Sequence, residues 1–278
     1  MEQINIPVYK IIVPITKTEL VLSVRGDFHY GVEGVEIPDM LRVLKREQDQ
    51  HRGNQFIVYT GDIIENNLNS SIGHGYDLKI RDPHQQKTDM RDALVELQKH
   101  LHGQGFNRVQ ITGEPRNVLS VGVTGNHEYR SRNASGQWIE EEIYSPAKIL
   151  NLRMNGLIEL TIVNHKLKIS KLYRLFISHR PNKSNATSIE AILRNVKKRK
   201  GDVPADLYVY GHYHRRIIFP DGTYNENGEF KKVLYVINPS PISYMEYADW
   251  SGYSPLASGW HVNCFLPLEA NRYPYGLV

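Results

Sequence analysis

Five times along the chain a short apolar run stops abruptly in a polar, glycine-marked tip, and this recurrence constrains the fold more than any other feature. Residues 20–24 lead into Arg25-Gly26-Asp27-Phe28-His29, and residues 56–60 into Gly61-Asp62. Residues 118–124 lead into Gly125-Asn126-His127-Glu128, 172–178 into His179, and 207–210 into Gly211-His212-Tyr213-His214. The runs have strand length and are rich in β-branched and aromatic residues, as buried strands are. Between them the pattern predicts helices at about 38–52, 83–102, 136–150 and 185–200. Pro38 and Pro83 fall in first turns, where a missing N–H costs nothing. Strands alternating with helices imply an α/β protein whose strands are covered on both faces. Beyond residue 205 the helical pattern stops. Runs at 215–219, 231–238 and 261–266 predict added, mainly antiparallel strands, with Asp221-Gly222 and Asn227-Gly228 as turns.

Composition narrows the setting. With 278 residues, 40% hydrophobic and 23% charged, the chain can bury a core without cross-links, which excludes a disordered tail or a disulfide scaffold. The single cysteine, Cys264, fits a reducing compartment. Pro14 interrupts the longest early apolar run, and no signal-like apolar stretch forms in the first twenty residues. The expectation is a cytoplasmic protein with no membrane partner, folded as one domain over 1–278. It carries an excursion at about 66–117, read as a loop, a helix and a hairpin-like return, and an aromatic-rich tail at about 239–278 that holds Tyr244, Tyr247, Trp250, Tyr253 and Trp260. A net charge of +4 is too mild to argue nucleic-acid binding unless it is clustered on one face. Twelve histidines against one cysteine mean that any bound metal is held by nitrogen and oxygen.

In open α/β sheets ligands collect outside the carboxyl ends of strands, where all five tips fall. The tips bring Asp, His and Asn side chains, a hard and borderline donor set without sulfur. In an extended segment residues two apart face the same way, so Asp27 with His29, and His212 with His214, can share a site while Phe28 and Tyr213 turn away. Each motif alone has a plain reading: a loop carboxylate bonded to an imidazole, a Gly-Asp turn, a polar helix cap. Their ordered succession is far more specific.

That succession resembles the calcineurin-like metallophosphoesterase superfamily over roughly residues 20–240. Residues 61–67, 124–130 and 244–253 look closest to members found in phages and prophages. The resemblance implies a four-layer α-β-β-α sandwich with two mixed β-sheets and a dinuclear site at the strand ends. It implies one metal held by Asp27, His29, Asp62 and His214 and another by Asp62, Asn126, His179 and His212, with Asp62 bridging. The two divalent ions would be manganese first, with iron, nickel or zinc as alternatives. The reaction implied is attack of metal-bound hydroxide on a phosphodiester, in nucleic acid (DNA or RNA) or in a nucleotide such as a cyclic nucleotide. His127 would protonate the leaving oxygen or stabilise charge on the phosphoryl group, and Glu128 would orient an imidazole or a ligand, so that His127, Asp62 and Glu128 form the catalytic set. A phosphomonoesterase, or a non-catalytic binding module on the same fold, is the alternative.

One departure matters. Protein phosphatases of this superfamily carry a further Asp and an Arg after Gly-Asp, where this chain has Glu65, Asn66 and Asn67. Losing that arginine favours a diester, which carries less charge. Arg130, Arg180 and Arg215, each close in sequence to a proposed ligand, are candidates for phosphate contact. His179 is followed by Arg180-Pro181 rather than by the glycine of many relatives. The remaining histidines, 51, 74, 84, 100, 102, 165 and 261, have no partner at ligand spacing and read as surface or core residues. Lys197-Lys198-Arg199-Lys200 reads as the cationic end of a helix.

Overall fold

The computed structural model describes residues 6–66, 78–103, 110–111, 120–181, 188–198, 203–224, 228, 230–242 and 259–276. Its strands are β1 (Val8–Pro14), β2 (Glu19–Arg25), β3 (Gln55–Tyr59), β4 (Gln110–Ile111), β5 (Ser120–Gly122), β6 (Ile149–Asn151), β7 (Asn155–Asn164), β8 (Ile169–Ser178), β9 (Leu207–Tyr210), β10 (Ile217–Tyr224), β11 (Phe230–Ile237), β12 (His261–Pro267) and β13 (Tyr275–Gly276). Helices are α1 (Ile37–Gln50), α2 (Pro83–Gly103), α3 (Asn126–Ser135), α4 (Ile139–Tyr144) and α5 (Ile189–Lys197).

Among the described residues the strands form two mixed sheets. One runs β10-β11-β9-β8-β7-β1-β4 and the other β13-β12-β2-β3-β5-β6. In the second sheet β2, β3, β5 and β6 are mutually parallel, and in the first β8, β9 and β11 are. The carboxyl ends of β2, β3 and β5 therefore share one edge, and those of β8 and β9 share another. These are the five strands whose ends carry the polar tips.

Three apolar clusters mark three interfaces between four layers. The largest lies between the sheets and includes Leu20, Leu22, Val58, Val121, Leu160, Leu175, Val209 and Cys264. The second joins α1, α2 and α4 to the outer face of the β2-containing sheet through Met40, Leu44, Leu94, Leu97, Ile143 and Tyr59. The third lays Ile192 and Val196 of α5 on Phe176, Tyr208, Tyr210 and Tyr235. The helices bury these stripes because their apolar residues recur every three or four positions, as Met90, Ala93, Leu94, Leu97 and Leu101 do along α2. The α/β sandwich expected from the motifs is thus the observed one.

Several local expectations are corrected. The helix placed at 136–150 is instead α4 preceded by α3, and the chain is already a strand by Ile149. α3 is polar throughout and shows no apolar stripe. It is fixed at its ends, by the Glu128 carboxylate accepting from the Gly125 N–H at 3.0 Å and by Gly136 at φ +75°. Asp221-Gly222 lies within β10, paired with Val233 and Lys232, rather than in a turn. Gly228, at φ +76°, does fall between β10 and β11, and Asn227 lies outside the described residues. Of the expected hairpin-like return only Gln110–Ile111 is described, as β4, which pairs antiparallel with β1, and the rest lies outside the described residues. Residues 118–119 and 243–258, with Tyr244, Tyr247, Trp250 and Tyr253 of the aromatic tail, lie outside the described residues. Trp260 packs against Phe28 at a centroid distance of 5.7 Å. No described helix is long and apolar enough to cross a membrane.

Candidate metal centre

The strand-end tips meet. Asp27 N donates to Gly61 O at 2.8 Å within one sheet edge, and Gly211 N to His179 O at 3.0 Å within the other. Two bonds tie the edges together: His212 N donates to Asp27 Oδ1 at 2.6 Å, and His179 Nδ1 donates to Thr60 O at 2.8 Å. Six of the nine described non-glycine residues with positive φ are here: Asp27, His29, Asp62, Asn66, His212 and His214. Left-handed backbone costs a side-chain-bearing residue on the order of 1–3 kcal/mol, and its concentration at one place marks a site that the surrounding fold over-determines. It also changes the reason Asp27 and His29 face together, since the tips are left-handed rather than extended. Phe28 and Tyr213 do turn away into packing. Gly125 is required by closeness: a Cβ there would collide with the Asp62 carboxylate and its backbone N–H.

Two ligand groups result. Asp27, His29 and His214 form one, and Asp62, His179 and His212 the other, with the donor atoms of each within 4.8 Å of one another; His29, Glu65 and His127 form a third cluster that meets the same limit and shares His29 with the first. Asp62 lies between the first two. His127 N donates to its Oδ1 at 2.8 Å, whereas its Oδ2 is 3.1 Å from His179 Nε2, 3.7 Å from His29 Nε2 and 3.9 Å from His127 Nε2. Asn126 Oδ1 completes the second group, 2.9 Å from His179 Nε2. These are the residues that the motifs singled out, brought together from five strands.

The donor set fits a cation. His179 gives its Nδ1 proton to Thr60 O, so Nε2 is bare and faces two oxygens, Asp62 Oδ2 and Asn126 Oδ1. Three acceptors with no proton among them are stabilised by a cation or by protonation. Without metal, protonation answers. Burial opposes charge on His179, but the Asp62 carboxylate and the Thr60 carbonyl push its pKa up to about 9. Burial, with Asp62 adding, pushes Asp27 up to about 6. Asp62 is held well below the ordinary carboxylate range, its burial outweighed by His179, His127 and His29. Burial and the neighbouring His179 push His212 down to about 3.

A sign follows for metal uptake. Cations compete with the His179 proton, so apparent Mn²⁺ affinity should rise with pH up to about 9, and binding at pH 7 should release about one proton. Titration calorimetry in buffers of differing ionisation enthalpy measures that release directly.

Glu65, which the motifs marked only as a departure, is a central residue of the site. Its carboxylate accepts from His29 Nδ1 at 2.7 Å and lies 3.2 Å from His127 Nδ1, while its carbonyl accepts from His127 Nδ1 at 2.7 Å. It thereby fixes the His29 tautomer with Nε2 bare. Although buried, Glu65 is held well below the usual carboxylate range by the two imidazoles. Asn66 is also buried and serves structure: its Nδ2 donates to His127 O at 2.6 Å and to Ser131 Oγ at 2.9 Å. Among the described residues Glu128 makes no hydrogen bond to an imidazole. It accepts four backbone N–H bonds, from Asp62, Ile63, Ile64 and Gly125, at 2.6 to 3.1 Å, and so holds the Asp62 loop. Burial and Asp62 still push its pKa up to about 7. Asp27 is seated by Thr60 and by Ser240, whose hydroxyl donates to Asp27 O at 2.7 Å.

Other histidines stand apart. His84, His102 and His165 are exposed, His100 lies 3.1 Å from Asp49, and His51 accepts from Asn263 Nδ2 at 3.4 Å beside β12, the strand on which His261 stands. His74 lies outside the described residues. Lys197 at the end of α5 lies 3.7 Å from Asp221 and over the Phe219 ring, and Arg199 and Lys200 lie outside the described residues.

The fold and site together define an α/β sandwich with a histidine- and aspartate-lined cation pocket at its strand ends. No family model matches the chain, and no curated protein does. Among solved structures it is similar to zinc-complexed Vps29 of Entamoeba histolytica, at 12% identity over 93% of both chains with a TM-score of 0.40. It is also similar to the calcineurin-like phosphoesterase YfkN of Bacillus subtilis, at 11% identity over 93% of this chain and 88% of that one, TM-score 0.40. GAP50, the anchor in the inner membrane complex of Plasmodium, matches at 12% identity over 94% and 89%, TM-score 0.41. Likenesses at this level assign no function.

Proposed function

We propose that the chain is a dinuclear metal-dependent phosphoesterase of the calcineurin-like superfamily, of the phage and prophage type, acting as a phosphodiesterase on nucleic acid or a nucleotide. The observation that carries this is Asp62 Oδ2, set between two groups of imidazoles whose outer nitrogens are fixed by Glu65 and Thr60. One carboxylate shared in this way suits two cations held about 3.5–4 Å apart. Divalent ions bound there would polarise a phosphoryl oxygen and activate water at neutral pH.

The chain's own residues supply the rest. His127 donates through Nδ1 to the Glu65 carbonyl, so a proton on its Nε2 can be passed to a leaving oxygen. Burial opposes that charge, yet Asp62 and Glu65 push the His127 pKa up to about 9, which keeps the acid form available at neutral pH. Glu65 orients both His127 and His29. Asn66 offers an amide, already spent on His127 and Ser131, where a phosphatase would offer a guanidinium. No charge is therefore offered at that position to the second anionic oxygen of a monoester.

The test is a panel of single- and double-stranded DNA, RNA, cyclic nucleotides and phosphomonoesters, assayed with Mn²⁺. Diester cleavage abolished by chelation is expected. Inactivity with Mn, Fe, Ni, Zn and Mg while two metals stay bound would leave a binding module instead. His127→Ala should keep both metals, counted by plasma mass spectrometry, while turnover falls about 10²- to 10⁴-fold. Metal loss in that variant would mean that His127 is a ligand.

A further inference from the structure

Arg130 is one helical turn beyond His127 on α3, and its guanidinium lies against that ring, with Nη1 3.0 Å from Nδ1 and Nη2 3.1 Å from Nε2. A guanidinium has five N–H donors and is always charged. His127 can absorb at most one of them, because its Nδ1 is already a donor to Glu65 O. The nearest carboxylate oxygen among the described residues is Glu65 Oε1 at 3.8 Å, beyond hydrogen-bond reach. Both Glu65 oxygens already face imidazoles. Neighbouring arginines are used differently: Arg132 donates to Tyr129 OH and lies over Trp138, and Arg153 pairs with Glu141. The Arg130 side chain is 27% exposed, so a partly covered arginine is left with unspent guanidinium donors beside the ligand groups. Covered cations are stabilised by an anion that accepts their N–H bonds.

We propose that Arg130 binds a non-bridging phosphoryl oxygen of the substrate, alongside His127 and across from Asp62. This rests on the phosphoesterase reading above. Of the three arginines that sequence proximity suggested, Arg130 is the one seen in contact with site residues. Arg180 and Arg215 are half-buried with no described side-chain hydrogen bond. Because α3 carries Asn126, His127 and Arg130 together, one rigid helix end would present a metal ligand, a proton donor and an anion clamp.

The test uses metal-loaded protein and inorganic phosphate as the probe. Phosphate affinity is measured by titration calorimetry, metal content by plasma mass spectrometry, and KM and kcat on a chromogenic diester. Arg130→Ala is expected to weaken phosphate binding at least tenfold and to raise KM, with metal content unchanged, and Arg130→Lys should recover part of the affinity. If the alanine variant binds phosphate as the parent does, the assignment is wrong. It is equally wrong if metals are lost in the alanine variant while Arg130→Gln keeps them and binds phosphate normally. Should the metal-loaded parent itself neither bind phosphate nor cleave the diester, the phosphoesterase reading fails and this assignment falls with it.

Discussion

Asp62→Ala should strip both metal ions together and lower diester hydrolysis by at least about 10³-fold. The reason is geometric. Among the described residues its Oδ2 is the one carboxylate oxygen within 4 Å of His29, His127 and His179, so no other described carboxylate stands in for it. His29→Ala is the contrasting variant. It removes a donor from the Asp27 group and from the His29–Glu65–His127 cluster but none from the Asp62–Asn126–His179–His212 group, so it should empty one position while that last group still binds. Metal-to-protein ratios of zero and about one, read by mass spectrometry, separate the two cases. Equal losses in both variants would show that the positions fill cooperatively or that only a single position exists.

Glu128→Ala should be among the most destabilising single changes available in this chain. Four backbone N–H groups lose their only described acceptor in a buried place, and each costs on the order of 1 kcal/mol or more when left unpaired. A loss of about 3 to 5 kcal/mol follows, on the order of 10 °C in Tm for a chain of this size. Calorimetry on metal-free protein measures it without interference from ion binding. Glu128→Gln keeps one acceptor oxygen but introduces two donors facing other donors, so an intermediate loss is expected. An unchanged Tm would mean that the Asp62 loop is held by something other than this carboxylate.

The candidate site was more legible in the sequence than the elements around it. Gly-Asp, Gly-Asn-His-Glu and the paired Asp-x-His and His-x-His motifs are local, and a strand's carboxyl end is recognisable where an apolar run breaks. Their meeting depends on β2, β3 and β5 being parallel neighbours and on β8 and β9 being so as well, which the alternation of strands and helices implies. What escaped reading has physical causes. β7 faces the core with Ile158, Leu160 and Ile162, yet its outward side carries Leu157 and Val163 with Glu159, so its alternation is blurred. α3 is fixed by Glu128 and Gly136 rather than by an apolar stripe, and caps of that kind resemble turns. Glu65 was visible only as a residue out of pattern. Its importance comes from facing His29 and His127, which lie 36 residues before it and 62 after.

β12 pairs with β2 from Pro267↔Glu19 to His261↔Arg25. The strand that leads into Asp27 and His29 is therefore flanked on one side by a strand that is made more than two hundred positions later, since His261 lies 236 positions after Arg25. At ribosomal rates of ~5–20 residues per second, roughly 10 to 50 s separate Arg25 from its partner His261. The Asp27–His29 pair is thus flanked on both sides only after the other four tips have been made. During that interval β2 presents an apolar, unpaired edge, the kind of surface that templates wrong pairing. Newly made chains would depend on chaperone cover until the closing strand arrives, and a nonsense mutation before residue 261 would expose that edge permanently.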